Sequence, residues 1–114
     1  MKTYFGQAPH RVIVQLANGK VRELDPGNAI VNHSPTGFSW GYAGSGPAQL
    51  ALALCRDVLG RGGAKTQHAL RVYQAFKLRV IAKLPSDQDW ELTEEQIRNV
   101  ITLIDWGAPA AVAQ

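Results

Sequence analysis

The chain has 114 residues and a formal net charge of +3, which suits one domain with a core that needs no disulfide or metal staple. Its single cysteine, Cys55, excludes an intramolecular disulfide and agrees with a reducing, cytoplasmic setting. The first residues hold no long apolar run, so we expect no secretory signal, and the longest apolar stretch falls far short of the roughly twenty residues of a membrane span.

The N-terminal third has the patterns of short antiparallel strands. Lys2 to Gln7 and Arg11 to Leu16 are predicted strands because β-favouring residues recur in them. The chain returns as a strand from Lys20 to Leu24 after Asn18-Gly19, a pair that tolerates the positive φ angles of a type I′ hairpin turn. Ala29 to Asn32 is a candidate for one more short strand.

The chain is organised around residues 38–60, FSWGYAGSGPAQLALALCRDVLG. Ser45 or Gly46 is the predicted N-cap of a helix, with Pro47 at the first helical position, where its missing N–H costs nothing. From Ala48 to Leu59 apolar residues cover almost the whole circumference. Such a helix is normally buried on most sides, so we expect the other elements to surround it.

Two further helices are predicted after it. Thr66 is the expected cap of a helix that reaches about Leu84, and Thr93-Glu94-Glu95-Gln96 is a capping box that opens a third. Their apolar stripes are Leu70, Tyr73, Phe76 or Lys77, Val80, Ile81 and Leu84 in the second helix, and Ile97, Val100, Ile101 and Ile104 in the third. We therefore predict a single α+β domain over residues 1–107, with a small antiparallel β-sheet from the N-terminal third packed on three helices, a buried central helix and a loose tail over 108–114.

The central stretch resembles the core of an uncharacterised protein family. The resemblance is carried by NHSPTGFSWGY at 32–42 and GSGPAQLALA at 44–53, and it continues through YQAFK at 73–77 and WELT at 90–93. The similarity covers roughly residues 4 to 106. The family consists of small single-domain proteins of unknown function from bacteria, phages and plasmids. The resemblance implies a phage or mobile-element setting and supplies no activity and no site residues. The segment Arg61 to Lys65 is more basic and glycine-rich than the usual family pattern.

The turn Gly44-Ser45-Gly46 is a candidate anion-binding site. Free N–H groups and the positive end of the helix dipole favour negative charge at a helix start. However, no Gly-Lys-Ser/Thr follows as in a phosphate-binding loop, and Pro47 removes one donor. A purely structural helix entry is therefore the favoured interpretation.

Reactive side chains do not form a recognisable catalytic or metal-binding set. His33 could act as a general base for Ser39 or Ser45, but no carboxylate is placed to orient it, and Asn-His-Ser-Pro also fits a polar turn. Arg56 and Asp57 are interpreted as a solvated edge or a structural ion pair of the central helix. The histidines and the cysteine, His10, His33, His68 and Cys55, lack metal-ligand spacing. We predict no catalytic residue, no metal and no cofactor.

Charge is distributed unevenly along the chain. Residues 58–86 contain six basic residues and no acid, whereas residues 87–114 contain six acids against Arg98 alone. The predicted partner-binding face consists of Arg61, Lys65, Arg71, Arg79 and Lys83. It could contact the phosphates of a nucleic acid or an acidic protein surface, or it could pair with the acidic third helix of the protein itself.

The leading functional hypothesis is a non-enzymatic binding protein of a phage or mobile element that acts on a host protein or ribonucleoprotein complex. An inhibitor of a host defence complex, such as an anti-CRISPR protein, is one concrete form. The first alternative is a nucleic-acid-binding accessory protein that uses the basic face of residues 61–83. The second is a small enzyme that uses His33 and nearby serines. The sequence leaves the identity of the partner and the oligomeric state open.

Overall fold

A four-stranded antiparallel sheet forms in the part of the chain that the computed structural model describes, residues 1–35 and 37–107. The strands are β1 (Thr3–Gln7), β2 (Arg11–Gln15), β3 (Val21–Glu23) and β4 (Trp90–Thr93), in the spatial order β3-β2-β1-β4. The predicted α+β class is confirmed. The fourth strand, however, comes from the C-terminal third of the chain. The predicted tail at 108–114 lies outside the described residues.

The turn between β2 and β3 differs from the predicted two-residue type. The Gly19 N–H donates to the Leu16 carbonyl at 2.9 Å, and the Leu16 N–H donates to the Lys20 carbonyl at 2.7 Å. Gly19 has a φ of 87°, whereas Asn18 keeps a negative φ. This combination is a type I turn followed by a bulge at glycine, so the prediction of a type I′ turn is wrong.

The helices of the described part are α1 (Ser45–Leu59), α2 (Gly63–Arg79) and α3 (Glu94–Asp105). The N-cap of α1 is Gly44 rather than Ser45 or Gly46, so Pro47 is the third helical residue and not the first. The capping box of α3 is confirmed, because the Thr93 side chain accepts from the Gln96 N–H and the Gln96 side chain accepts from the Thr93 N–H.

The predicted bounds of α2 are wrong at both ends. The helix begins before Thr66, with Gly62 as its N-cap and no side-chain cap, and a 3₁₀ turn at Ile81–Lys83 replaces its last predicted turn. Its buried face consists of Ala69, Val72, Tyr73 and Phe76. Phe76, and not Lys77, therefore occupies the core position.

Helix α1 is the innermost element, as predicted. Every residue from Gly46 to Cys55 is buried, and α1 packs against both α2 and α3. Strand alternation places Tyr4, Val12 and Val14 on the face of the sheet that joins the same core. No helix within residues 1–35 and 37–107 combines the length and the apolar character that a bilayer crossing demands.

The predicted strand at 29–32 is wrong. The segment turns instead, because the N–H groups of Ile30 and Val31 both donate to the Gly27 carbonyl. The two aromatic residues further along, Phe38 and Trp40, are both buried. The Trp40 ring meets the Trp90 ring edge-on, with the ring centroids 5.6 Å apart, so this extended segment packs beside the start of β4.

Candidate functional site

Gln49 connects the irregular loop that precedes α1 to the helix itself. Its side chain is completely buried. The Oε1 atom accepts from the N–H groups of His33 and Ser34, and the Nε2 atom donates to the carbonyls of Pro26 and Val31. One amide thus satisfies four backbone groups of a loop that has no strand partner. This residue of the central motif has a structural role.

His33 is held by the core and not by a serine. Its Nε2 atom lies 2.7 Å from the Tyr73 hydroxyl, and the two rings are tilted at 44°. The Ser39 hydroxyl lies 2.8 Å from the Tyr42 hydroxyl. Among the described hydrogen bonds none joins His33 to Ser39 or Ser45, so the structure does not assemble the base and nucleophile that the enzyme hypothesis requires.

The candidate anion turn Gly44-Ser45-Gly46 lies beside a cavity of about 340 Å³. A side chain at Gly46 would collide with the Ser39 side chain, and one at Gly44 would collide with the Tyr42 ring. Close packing against Ser39 therefore accounts for Gly46, whereas the exposed Tyr42 ring can move away from a side chain at Gly44. The described residues that line this cavity include no lysine or arginine, and anion binding at the turn stays a prediction.

Asp57 forms a cluster of charged and polar groups at the C-terminal end of α1. Its side chain is 9% exposed and accepts hydrogen bonds from the Tyr4 hydroxyl at 2.6 Å, from Lys2 Nζ at 3.1 Å and from Arg22 Nη2 at 2.9 Å. The sheet brings these donors together because Lys2 and Tyr4 are two residues apart and Arg22 pairs with Val14, the neighbour of Tyr4. The structural interpretation of Asp57 is confirmed by these contacts.

The cluster changes the acidity of its members. Burial alone would raise the pKa of Asp57, but hydrogen bonds from Tyr4 and Lys2 outweigh it and hold that pKa below its usual value. Burial, together with the hydrogen bond to Asp57, raises the pKa of Tyr4. At neutral pH the site therefore contains an ionised carboxylate and a neutral phenol.

A cavity of about 400 Å³ opens beside Asp57. The charged residues that line it are Lys2, Arg22, Glu23, Asp25, Arg56, Asp57 and Arg61. We call this cavity the arginine pocket. Asp25 lies between two of its arginines, with Oδ2 3.4 Å from Arg56 Nη1 and 3.0 Å from Arg61 Nη2. A hydrogen bond from the Gly27 N–H, and then one from Arg61, lower the pKa of Asp25, so it also stays ionised.

The predicted basic face is divided between two places. Arg61 lines the arginine pocket, and the Lys65 side chain folds back over Gly60 in the wall of the same pocket. Arg71 is exposed in the middle of α2, Arg79 is its last residue and Lys83 ends the 3₁₀ turn. Lys65 and Arg79 are separated by about 21 Å along the helix axis at the usual rise. Partner binding by these residues stays a prediction.

The acidic third helix makes limited contact with this basic segment. Between α2 and α3, His68 Nε2 lies within hydrogen-bond distance of Asp105 Oδ2, at 2.8 Å. On α3, Glu94 pairs with Arg98 and also accepts from the Lys2 N–H. Arg61 pairs with Asp25 from the loop after β3.

A comparison with protein families gives one match, over residues 4–103. The chain belongs to DUF6166, a family of unknown function. The resemblance to an uncharacterised domain is thereby confirmed, and both motif segments at 32–42 and 44–53 lie inside the matched residues. No curated protein and no solved structure matches the chain. Functional inference for this DUF6166 chain therefore rests on its own geometry.

The arginine pocket was missed by sequence reasoning, although one signal for it was present. An acid near the end of an apolar helix, as Asp57 is, needs a cationic or hydrogen-bonding partner. The period of a strand places Lys2 and Tyr4 on one face, which is the face that meets that helix. Within the described residues of this DUF6166 chain no cluster of histidine, cysteine and acidic side chains has the arrangement of a metal site.

Proposed function

We propose that this protein is a non-enzymatic binding protein that contacts a host protein or ribonucleoprotein complex through the exposed residues of α2 and α3. A phage or mobile-element origin, a cytoplasmic location and inhibition of a host defence complex such as a CRISPR effector belong to the same proposal. The family resemblance in the central motif motivates that setting.

The observation that carries the proposal is that large apolar side chains are left on the surface of α2, of α3 and of the residue that follows α3. Trp106 is 79% exposed, Leu78 is 53% exposed and Leu103 is 39% exposed. Arg71 is exposed and lies one helical turn from His68, which contacts Asp105 at the end of α3. Tryptophan and arginine are the residue types that most often dominate the binding energy of protein interfaces.

The buried or half-buried polar side chains that could take part in catalysis have structural roles instead. This also supports a binding function. Gln49 satisfies backbone groups, His33 bonds Tyr73, and Asp57 holds Lys2 and Arg22. Catalysis by acid–base or nucleophilic groups requires a side chain free to reach a substrate. These residues instead stabilise the framework that presents the surface.

Nucleic-acid binding is the alternative, and one observation favours it. Neither Arg71 nor Lys83 forms an ion pair with an acid among the described residues. Their charges are therefore available to phosphates. The exposed leucine on the same helix favours a protein surface over a phosphate backbone, because nucleic-acid interfaces are more polar and more basic than protein interfaces.

A quantitative pull-down tests the proposal. Tagged wild type, the double variant Arg71→Gln/Trp106→Ala and the control Lys20→Gln are each incubated with host lysate at physiological salt. Lys20 is exposed in the turn between β2 and β3. Its replacement by glutamine removes one positive charge, as Arg71→Gln does, but at a position away from α2. We expect the wild type and the control to retain the same partner and the double variant to lose it. Recovery of no partner by the wild type would overturn the proposal.

A gel-shift assay separates the alternative. If α2 binds nucleic acid, the wild type retards DNA or RNA at low salt and affinity falls steeply as salt rises. The triple variant Arg71→Gln/Arg79→Gln/Lys83→Gln should then bind more weakly and with a flatter salt dependence. Failure of the wild type to retard any DNA or RNA removes the nucleic-acid alternative and leaves the protein-binding proposal in place.

A further inference from the structure

We propose that the arginine pocket binds a compact phosphorylated small molecule, such as inorganic pyrophosphate or a sugar phosphate. The pocket has a volume of about 400 Å³ and three guanidinium groups in its wall. They come from separate elements: Arg22 from β3, Arg56 from the last turn of α1 and Arg61 from the loop before α2. This site is distinct from the exposed surface of α2 and α3 that the proposed function uses.

The guanidinium groups are incompletely satisfied by the protein. The Arg56 side chain is 16% exposed, and within the described residues it donates to Asp25 Oδ2 across a long contact of 3.4 Å. Its buried Nε atom has no hydrogen-bond partner among the described residues. The protein's own groups therefore leave this cation incompletely paired, and the exposed part of its side chain is what an oxyanion in the pocket would contact.

Arg22 and Arg61 each donate to a carboxylate from only one nitrogen of the planar guanidinium group. Arg22 contacts Asp57 through Nη2 at 2.9 Å, and Arg61 contacts Asp25 through Nη2 at 3.0 Å. Neither contact is the bidentate pair in which two parallel N–H groups meet one carboxylate. The remaining N–H donors of both groups are therefore available to the oxygens of a phosphate, whose geometry matches the guanidinium fork.

The charge balance of the pocket favours an anion. Four cations line it, Lys2 and the three arginines, and two carboxylates contact them, Asp25 and Asp57. Glu23 also lines the pocket but binds Arg11 at 2.9 Å. Lys65, folded over Gly60 in the pocket wall, adds a further positive charge beside it. The excess of positive charge is the condition for retaining a polyanion.

The rest of the wall decides the kind of phosphate compound. The described lining residues other than the charged ones are Ala53 and Gly60, so a nucleobase would find no aromatic side chain on which to stack. The volume exceeds that of one phosphate group but suits a small ligand. A compact compound with one or two phosphate groups and a polar body fits these features best.

Isothermal titration of the purified chain with pyrophosphate and separately with a sugar phosphate tests the site. We expect saturable binding of at least one of the two ligands. Comparison of their affinities shows whether the pocket prefers an inorganic or an organic phosphate. Arg61→Gln removes one guanidinium group from the pocket and should weaken binding about tenfold. The fold should be unaffected, because the Arg61 side chain is exposed and contributes little to stability. Arg56→Lys keeps the charge and loses the fork, and should weaken binding by a similar factor.

The matched control is Lys20→Gln, which removes one positive charge, as Arg61→Gln does, at an exposed position outside the pocket lining. It should leave the affinity unchanged. Absence of saturable binding by the wild type, an equal loss in Lys20→Gln, or a single-stranded oligonucleotide that displaces pyrophosphate at lower concentration would each overturn the proposal. None of these outcomes affects the pull-down of a host partner, so the two proposals fail separately.

Discussion

Replacement of Asp57 by asparagine tests whether this carboxylate joins the sheet to the end of α1. The side chain is 9% exposed and accepts from Tyr4, Lys2 and Arg22. Asparagine offers one carbonyl oxygen and no charge, so most of this network is lost. The two cations then lie near each other without the negative charge between them.

The expected loss of stability follows from the exposure of each partner. Tyr4 is completely buried, and a buried hydrogen bond to a charged group contributes about 2 kcal/mol. Lys2 is 24% exposed and Arg22 is 40% exposed, so solvent screening limits these two contacts to about 1 kcal/mol together. The sum is about 3 kcal/mol, which for a domain of this size lowers the Tm by about 12 °C.

The pH dependence of this loss has a definite sign. Because the folded-state pKa of Asp57 is held below its usual value, the stabilisation is complete above the unfolded pKa of about 3.9. It disappears as the pH falls through the lower folded-state pKa. We therefore expect wild type and Asp57→Asn to differ in stability at neutral pH and to converge in strong acid.

Urea unfolding followed by circular dichroism, at neutral pH and in a series below about pH 4, measures both the difference and its convergence. The control is Glu91→Gln, the same acid-to-amide change at an exposed position of β4. It should stay within about 0.5 kcal/mol of the wild type. An Asp57→Asn variant as stable as the wild type at neutral pH, or a difference that persists unchanged in strong acid, would refute the reasoning.

Three further outcomes are expected. Gln49→Leu leaves the N–H groups of His33 and Ser34 and the carbonyls of Pro26 and Val31 without their partner, and urea unfolding should show a loss of at least about 3 kcal/mol. Gly46→Ala places a methyl group against the Ser39 side chain and should lower the Tm, which differential scanning calorimetry measures; an unchanged Tm would mean that Ser39 moves freely. Burial raises the pKa of the Cys55 thiol, so a thiol reagent should label it in urea and not in buffer at neutral pH, and rapid labelling in buffer would contradict its burial.

The features that the sequence predicted correctly are encoded locally. Apolar residues cover almost the whole circumference of α1, so this helix has to be buried. Thr93 and Gln96 form a capping box that specifies the start of α3 within four residues. The alternation of Val12 and Val14 identifies one face of β2. Each signal lies within a single element, which is why it could be recognised without tertiary information.

The errors arise where partners distant in the sequence decide the structure. Strand β4 has four residues and forms because β1 offers it a free edge. The segment at 29–32 has strand-like residues, yet the buried amide of Gln49 stabilises it as a turn. The start of α2 has glycines and no side-chain cap, so the usual start signal pointed to Thr66.

The candidate site shows the same division. The basic residues were visible in the sequence, but their separation into a pocket and a helix surface depends on where the loop Gly60–Gly62 lies. Arg22 lies in β3 and Lys2 immediately precedes β1, and neither was predicted as a site residue because they are far apart in the sequence. Only the packing of the sheet on α1 brings them to Asp57.

The pairing of β1 with β4 has a consequence for how the chain reaches its folded state. Thr3 pairs with Thr93, and the Glu94 N–H donates to the Lys2 carbonyl. The first strand can therefore complete its pairing only when residues about ninety positions later are present. Closing this long loop loses chain entropy before the contacts between β1 and β4 stabilise the structure, and this slows folding. Until residue 93 has been synthesised, one edge of β1 stays open. A nascent chain stalled before that point therefore exposes a strand edge to pairing with neighbouring chains.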